Sequence, residues 1–176
     1  MTPRVCLAPL RHDQLEQLRS WRNDPEIMAR TREYRFLTEA DQERWWQRIT
    51  GPDRRDFMFG VLGPSLELVG VVGLCDWHPV NCSAEVSFYV GHQDYRNKGV
   101  CTAALHQLHA YGFETLGLHR IWAECYETNT PGLRLLHKLG YQDEGRLRDH
   151  VWRGGRWVTS VMLGLLEEDW RATQAG

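Results

Sequence analysis

The chain has 176 residues, of which 42% are apolar, 25% charged and 11% aromatic, enough for a domain with its own hydrophobic core. Its 21 Lys and Arg stand against 23 Asp and Glu, a formal charge of −2, so no cationic excess points to a nucleic-acid partner. No apolar run approaches the ~20 residues of a membrane span and the N-terminal stretch lacks a signal peptide's apolar core, so a cytoplasmic chain with no membrane partner is expected.

A short strand opens at residues 5–7, and Leu15, Leu18 and Trp21, three apart, predict an amphipathic helix over residues 13–21. Arg22-Asn23-Asp24-Pro25 breaks it, because the residue before a proline avoids the helical region. Thr38-Glu39-Ala40-Asp41 resembles a capping box and starts a second helix, which passes Trp45, Trp46 and Ile49 and stops at Gly51-Pro52. Phe57–Leu62 and residues 67–74 flank a Gly63-Pro64-Ser65 turn and predict a hairpin, followed by a third β run over residues 84–90. After a polar loop, Gly99 opens a helical pattern to about Leu116, and the strand Arg120–Tyr126 completes a βαβ unit that makes two strands parallel. A fourth helix covers residues 131–139 and ends at Gly140. Residues 142–152 and 156–165 are joined by Arg153-Gly154-Gly155-Arg156, where the glycine pair favours a tight hairpin. The order βααβββαβαββ is that of an α/β chain with a central mixed sheet, neither a doubly wound fold nor an all-β sandwich. One domain over residues 1–170 is expected, with residues 171–176 a flexible tail.

The cysteines (Cys6, Cys75, Cys82, Cys101, Cys125) are odd in number and never spaced C-x-x-C, so neither a disulfide framework nor a zinc site is expected. His106 and His109 share helical spacing but lack a third ligand nearby and read as a solvated helix face; no metal is expected. Trp122, Trp152 and Trp157 fall in strands, where packing is their expected task.

The most informative segment is Tyr95-Arg96-Asn97-Lys98-Gly99-Val100-Cys101-Thr102, set between a strand and an apolar-striped helix. A helix N-terminus presents free N–H groups and a partial positive charge, Arg96 and Lys98 add cations, and Gly99 lets a phosphate approach the backbone without a Cβ in the way. That combination predicts a pyrophosphate site. It is neither a Walker loop nor the G-x-G-x-x-G fingerprint.

The strand before this loop, the string R-N-K-G-V-C, the helix and strand after it, Asn129, and a helix closing in Leu139-Gly140-Tyr141 together resemble the GNAT superfamily of N-acetyltransferases. Within it the chain is similar to the RimJ/RimL group and to amino-sugar acetyltransferases. The resemblance implies the GNAT fold, with its parallel strands splayed apart, and acetyl-CoA as co-substrate. It implies that Phe88, Tyr89 and Val90 run beside the pantetheine arm like an added strand, that Arg96, Asn97, Lys98, Gly99, Val100, Cys101 and Thr102 hold the pyrophosphate, and that Asn129 hydrogen-bonds the pantetheine region. Cys101 departs from the usual Gly or Ala and reads as a small buried filler; a redox role, with the thiol's pKa lowered at a helix N-terminus, is the alternative. Leu136 stands where some family members carry a tyrosine acid, so Tyr126, Tyr141 and water stay open for that role.

Acetyl transfer to an amine near pKa 10 needs a base, an oxyanion donor and a thiolate leaving group. Glu85, an acid in an otherwise apolar strand, is the candidate base; the alternative is that it faces solvent. A backbone N–H near Val90 is the candidate oxyanion donor. The acceptor is expected against the first two helices, with Trp21, Arg22, Asn23 and Glu85 as contacts, although the adjacent Trp45 and Trp46 cannot both face inward. The acceptor reads as a small primary amine such as an amino sugar. A protein N-terminus is the alternative within the enzyme class, and a non-catalytic acyl-CoA sensor is the alternative outside it. The assembly is expected to be a monomer or a homodimer.

Overall fold

A computed structural model describes residues 3–174. The elements in chain order are β1 (Cys6–Pro9), α1 (Leu15–Arg22), α2 (Pro25–Met28), α3 (Glu39–Thr50), β2 (Phe57–Leu62), β3 (Leu68–His78) and β4 (Ser83–Val90). Then come α4 (Val100–Ala110), β5 (Arg120–Tyr126), α5 (Thr130–Lys138), β6 (Gln142–Arg153), β7 (Arg156–Leu166) and α6 (Glu167–Gln174). The strands follow the order β1-β2-β3-β4-β5-β7-β6. β4 and β5 pair in parallel, while β1 with β2, β2 with β3, β5 with β7 and β6 with β7 pair antiparallel. The mixed sheet expected from the sequence is therefore present.

Local chemistry accounts for most boundaries. Thr38 caps α3 reciprocally with Asp41, accepting from the Asp41 N–H at 3.2 Å while the Asp41 carboxylate accepts from the Thr38 N–H at 2.8 Å. Gly154 and Gly155 both take positive φ, 56° and 78°, as a two-residue hairpin turn requires. Pro25, expected only to break a helix, instead begins α2: proline lacks only an N–H that the first helical position does not use, and Asp24 caps the turn by accepting from the Glu26 N–H at 2.9 Å. The chain also ends in α6, whose first turn carries Glu167, Glu168 and Asp169, the charge a helix N-terminus favours. Residues 171–174 of the expected tail belong to this helix, and residues 175–176 lie outside the described residues.

Packing groups the chain into two compact units. Among the described residues, one comprises residues 3–76 and 87–108, the other residues 77–86 and 109–174. The first is organised around Leu10, Leu15, Leu18, Ile49, Leu68 and Val71, with Trp21, Trp45, Trp46 and Tyr89 packed against them. Trp45 and Trp46 both reach this core, contrary to the expectation for adjacent helical positions. An indole is long enough to cover core surface from either flank of the buried stripe, and Trp46 also meets His12 edge-on at 5.6 Å.

In the second unit Phe113, Leu118, Ile121, Leu136, Leu163 and Leu165 are buried. His109 is 1% exposed and meets the Tyr141 hydroxyl at 2.9 Å, so the solvated face expected for it is corrected. It follows Leu105 by four residues and shares that apolar stripe, whereas His106 is exposed. Trp152 and Trp157, expected to be packed, are 54% and 57% exposed and meet edge-on across the terminal hairpin at 5.3 Å.

Candidate active site

The loop before α4 passes twice through the left-handed region, at Asn97 (φ 59°) and Gly99 (φ 79°). Such backbone turns neighbouring N–H groups to a common side, a concavity suited to anions. The first N–H groups of α4, those of Val100, Cys101 and Thr102, have no acceptor within their own helix and carry the positive end of its dipole. No acidic residue occupies that first turn, and Lys98 stands exposed beside it. A Cβ on Gly99 would come no closer than 3.4 Å to Pro3, so the backbone conformation, not crowding, calls for glycine there. Burial pushes the Cys101 thiol up to about 12, in keeping with a small buried filler and against a lowered pKa.

Arg96 is placed differently from its expected part as a phosphate cation. Its guanidinium donates to Glu26 at 2.8 Å, to Asp24 at 3.0 Å and to the carbonyls of Gly91 at 3.1 Å and Val90 at 3.3 Å. It clamps the start of α2 to the end of β4, and it holds the Asp24 carboxyl below the usual carboxylate range. Arg96→Ala is expected to cost about 2 kcal/mol, since a half-buried carboxylate and two carbonyls lose a charged donor. At this chain size that lowers the melting temperature by about 4–8 °C. An unchanged melt would show that the fork holds nothing.

Beside this clamp, Trp21 meets the Tyr89 ring edge-on at 6.5 Å and Arg22 lies 5.9 Å from the centre of the same ring. Burial pushes the Tyr89 phenol up to about 12. The indole of Trp21 fills the space over Gly91, where a Cβ would stand 1.9 Å from it. Asn23 spends its amide on the main chain of Leu37, donating at 3.0 Å and accepting at 2.7 Å. The expected acceptor contacts Trp21, Arg22 and Asn23 are thus gathered next to the Phe88-Tyr89-Val90 end of β4, but Trp21 and Asn23 serve the packing of that region.

In the second unit Glu85 is 3% exposed, so the solvent-facing alternative falls. It stands opposite Trp122 in the parallel ladder, which pairs Ser83, Ala84 and Glu85 with Arg120, Ile121 and Trp122. Alternation along a strand puts Trp122, Glu124 and Tyr126 on the same face as Glu85. Asn129 caps α5, its side chain accepting from the Gly132 N–H at 3.2 Å. Gly132 makes room for this, since a Cβ there would meet the Asn129 amide nitrogen at 2.6 Å. Tyr126 is buried with its hydroxyl 3.2 Å from Arg153, and burial raises the Tyr141 phenol well above its ordinary value. One polar cluster escaped sequence reasoning: Glu124, Ser160 and His150 meet from three strands, and no spacing in the chain marks them. Among the described residues no group of His, Cys, Asp and Glu is arranged to hold a metal, and no helix is long and apolar enough to cross a membrane.

Comparison with known proteins adds a family match, two relatives and a solved structure. Residues 4–142 match the model of an acetyltransferase (GNAT) domain. An uncharacterized N-acetyltransferase, p20, of Bacillus licheniformis is 35% identical over 103 residues, 57% of each chain. The [ribosomal protein uS5]-alanine N-acetyltransferase of Escherichia coli is 28% identical over 117 residues, 65% of this chain and 59% of the relative. The chain thus spans little more than half the length of these curated relatives. In fold it resembles the crystal structure of spermidine N-acetyltransferase from Vibrio cholerae in complex with CoA and spermine, with a TM-score of 0.89, 21% identity and coverage of 95% of this chain and 98% of that one.

Proposed function

The chain belongs to the GNAT acetyltransferase family, and on that footing we propose that it transfers an acetyl group from acetyl-CoA to a primary amine. The observation that carries this reading is the left-handed loop at Asn97 and Gly99 opening onto a helix whose first turn is free of acidic side chains. The pyrophosphate of acetyl-CoA is held by backbone N–H groups from Asn97 to Thr102, with Lys98 supplying the cation, since Arg96 is committed to Asp24 and Glu26. Phe88, Tyr89 and Val90 offer main-chain groups to the pantetheine arm, and a backbone N–H near Val90 meets the oxyanion. Asn129, besides capping α5, supplies a side-chain amide to the pantetheine region.

Chemically, the amine lone pair attacks the thioester carbonyl and forms the C–N bond. Glu85 takes the proton shed by the attacking nitrogen, and the C–S bond breaks with its electron pair on the CoA sulfur. A thiol near pKa 8.5 leaves as thiolate with little help from an acid.

The acceptor is a small primary amine. An amino sugar remains within that class, although the aromatic platform expected at Trp21 is occupied by Tyr89 and Gly91. The match to a uS5-alanine N-acetyltransferase favours a second reading, a protein N-terminal amine. Acetyl-CoA incubated in parallel with glucosamine, spermidine and a peptide beginning with alanine, with release of free thiol followed, separates them. Turnover on a small amine is expected; turnover on the peptide alone replaces that acceptor with the second.

A further inference from the structure

β6 does not pair evenly with β7. The register runs Leu147 opposite Ser160, then Val151 opposite Val158, leaving Arg148, Asp149 and His150 against Thr159 alone. Asp149 takes φ 51°, a left-handed conformation that residues with a Cβ adopt only rarely. A bulge of this kind re-aims a side chain, and such bulges concentrate beside functional sites.

The side chain re-aimed here is His150, which reaches across β7 to β5. Its Nδ1 lies 3.1 Å from the Glu124 carboxylate and 3.0 Å from the Ser160 hydroxyl, and that hydroxyl donates to the same carboxylate at 2.7 Å. A carboxylate only accepts, so Nδ1 carries the proton and Nε2 holds the lone pair. No described residue hydrogen-bonds Nε2, and the imidazole, 41% exposed, lines a surface hollow with Arg146, Leu147, Arg148 and Asp149. Glu124 is 8% exposed at its side chain, and Ser160 is fully buried. A carboxylate anchored at the protein end and an imidazole open at the other form an oriented base.

The cluster also lies near the proposed chemistry. Glu124 shares the sheet face of Glu85, one strand across and two residues along, a backbone separation of roughly 8 Å from the spacing of strands and residues. Charged groups beside the imidazole include Glu124 from β5 and, on β6 itself, Arg146, Arg148 and Asp149; Ser160 from β7 is neutral. Arg146 is paired with Glu127 at 2.7 Å.

We propose that His150, oriented by Glu124 and Ser160, removes the first proton from the acceptor, converting its ammonium to the free amine before attack. This deepens the reading of the chain as an amine acetyltransferase and rests on it. The N–H bond of the ammonium breaks with its electron pair left on nitrogen, the proton binds Nε2, and the imidazolium, stabilised by Glu124, releases it to water through the open hollow. Glu85 then takes the second proton, from the nitrogen that has attacked. The substrate class is therefore an amine that is cationic in solution, an alkyl ammonium.

His150→Ala and Glu124→Gln are compared with the wild type using acetyl-CoA and whichever of spermidine, glucosamine or the alanine peptide is turned over. The expected result for His150→Ala is a loss of about 100-fold in kcat/KM for the amine with the KM for acetyl-CoA unchanged. Added millimolar imidazole should restore part of the loss in His150→Ala and nothing in Glu124→Gln, whose hollow still holds His150. Wild-type turnover with His150→Ala unimpaired, or impaired without rescue, overturns the role of His150 and leaves the acetyltransferase reading standing. A wild type inactive on all three acceptors overturns both.

Discussion

Gly99→Glu is expected to lower acetyl-CoA affinity by about a thousandfold. Two costs combine at this position. The φ of 79° is one that a residue with a Cβ adopts only under strain, on the order of 1–2 kcal/mol. The larger cost is electrostatic, because a carboxylate about 4 Å from the pyrophosphate at an effective dielectric constant of ~20 opposes each facing unit charge by about 4 kcal/mol, some three decades in affinity. Gly99→Ala separates the two, since its Cβ meets nothing closer than 3.4 Å and brings no charge. The alanine variant should therefore lose stability of that strain's size while keeping most of its affinity. Titration calorimetry with acetyl-CoA reads both variants. Binding by Gly99→Glu within threefold of the wild type would remove the pyrophosphate from this loop.

The second large effect is expected from Glu85→Gln, a fall in kcat of about 10²–10⁴ with little change in acetyl-CoA affinity. Glutamine keeps the volume and hydrogen-bonding reach of the buried side chain, so the sheet around Trp122 should hold and the melting temperature should stay close to that of the wild type. What it lacks is a proton acceptor. Turnover in single-turnover mixing, read beside acetyl-CoA binding, distinguishes a base from a structural residue. A variant that binds and transfers like the wild type would displace Glu85 from the chemistry, and a wild type that binds but never transfers would favour the acyl-CoA sensor.

Particular residues show what was legible in the chain. The candidate loop was, because glycine at a left-handed position and an apolar stripe beginning directly after it are both local signals, and the φ of Gly99 agrees with the first. Asn129 as a candidate was legible from its place before a helix, and its cap on Gly132 follows from the same three-residue spacing. Arg96 was legible only as a cation near that loop. Its partner Asp24 lies 72 residues away in the chain, and no local rule couples the two. Trp21 and Asn23 were read as acceptor contacts for the same reason: their partners Tyr89 and Leu37 come from β4 and from the loop before α3.

By itself the sequence determined the order of elements, the αβ alternation that makes one strand pair parallel, the capping of α3, the closing hairpin and the position of the candidate loop before α4. These rest on backbone preferences and on hydrogen bonds between residues a few positions apart, so they are written locally. Only the tertiary structure decided which polar side chains are consumed by the fold and which face outward. Arg96 is taken up by Asp24 and Glu26 and Asn23 by Leu37, whereas the three-residue bulge in β6 turns His150 onto Glu124 and Ser160. The physical reason is that desolvation and hydrogen bonding act between whatever groups the packed sheet brings within about 3 Å, and strand register, not sequence distance, selects those groups.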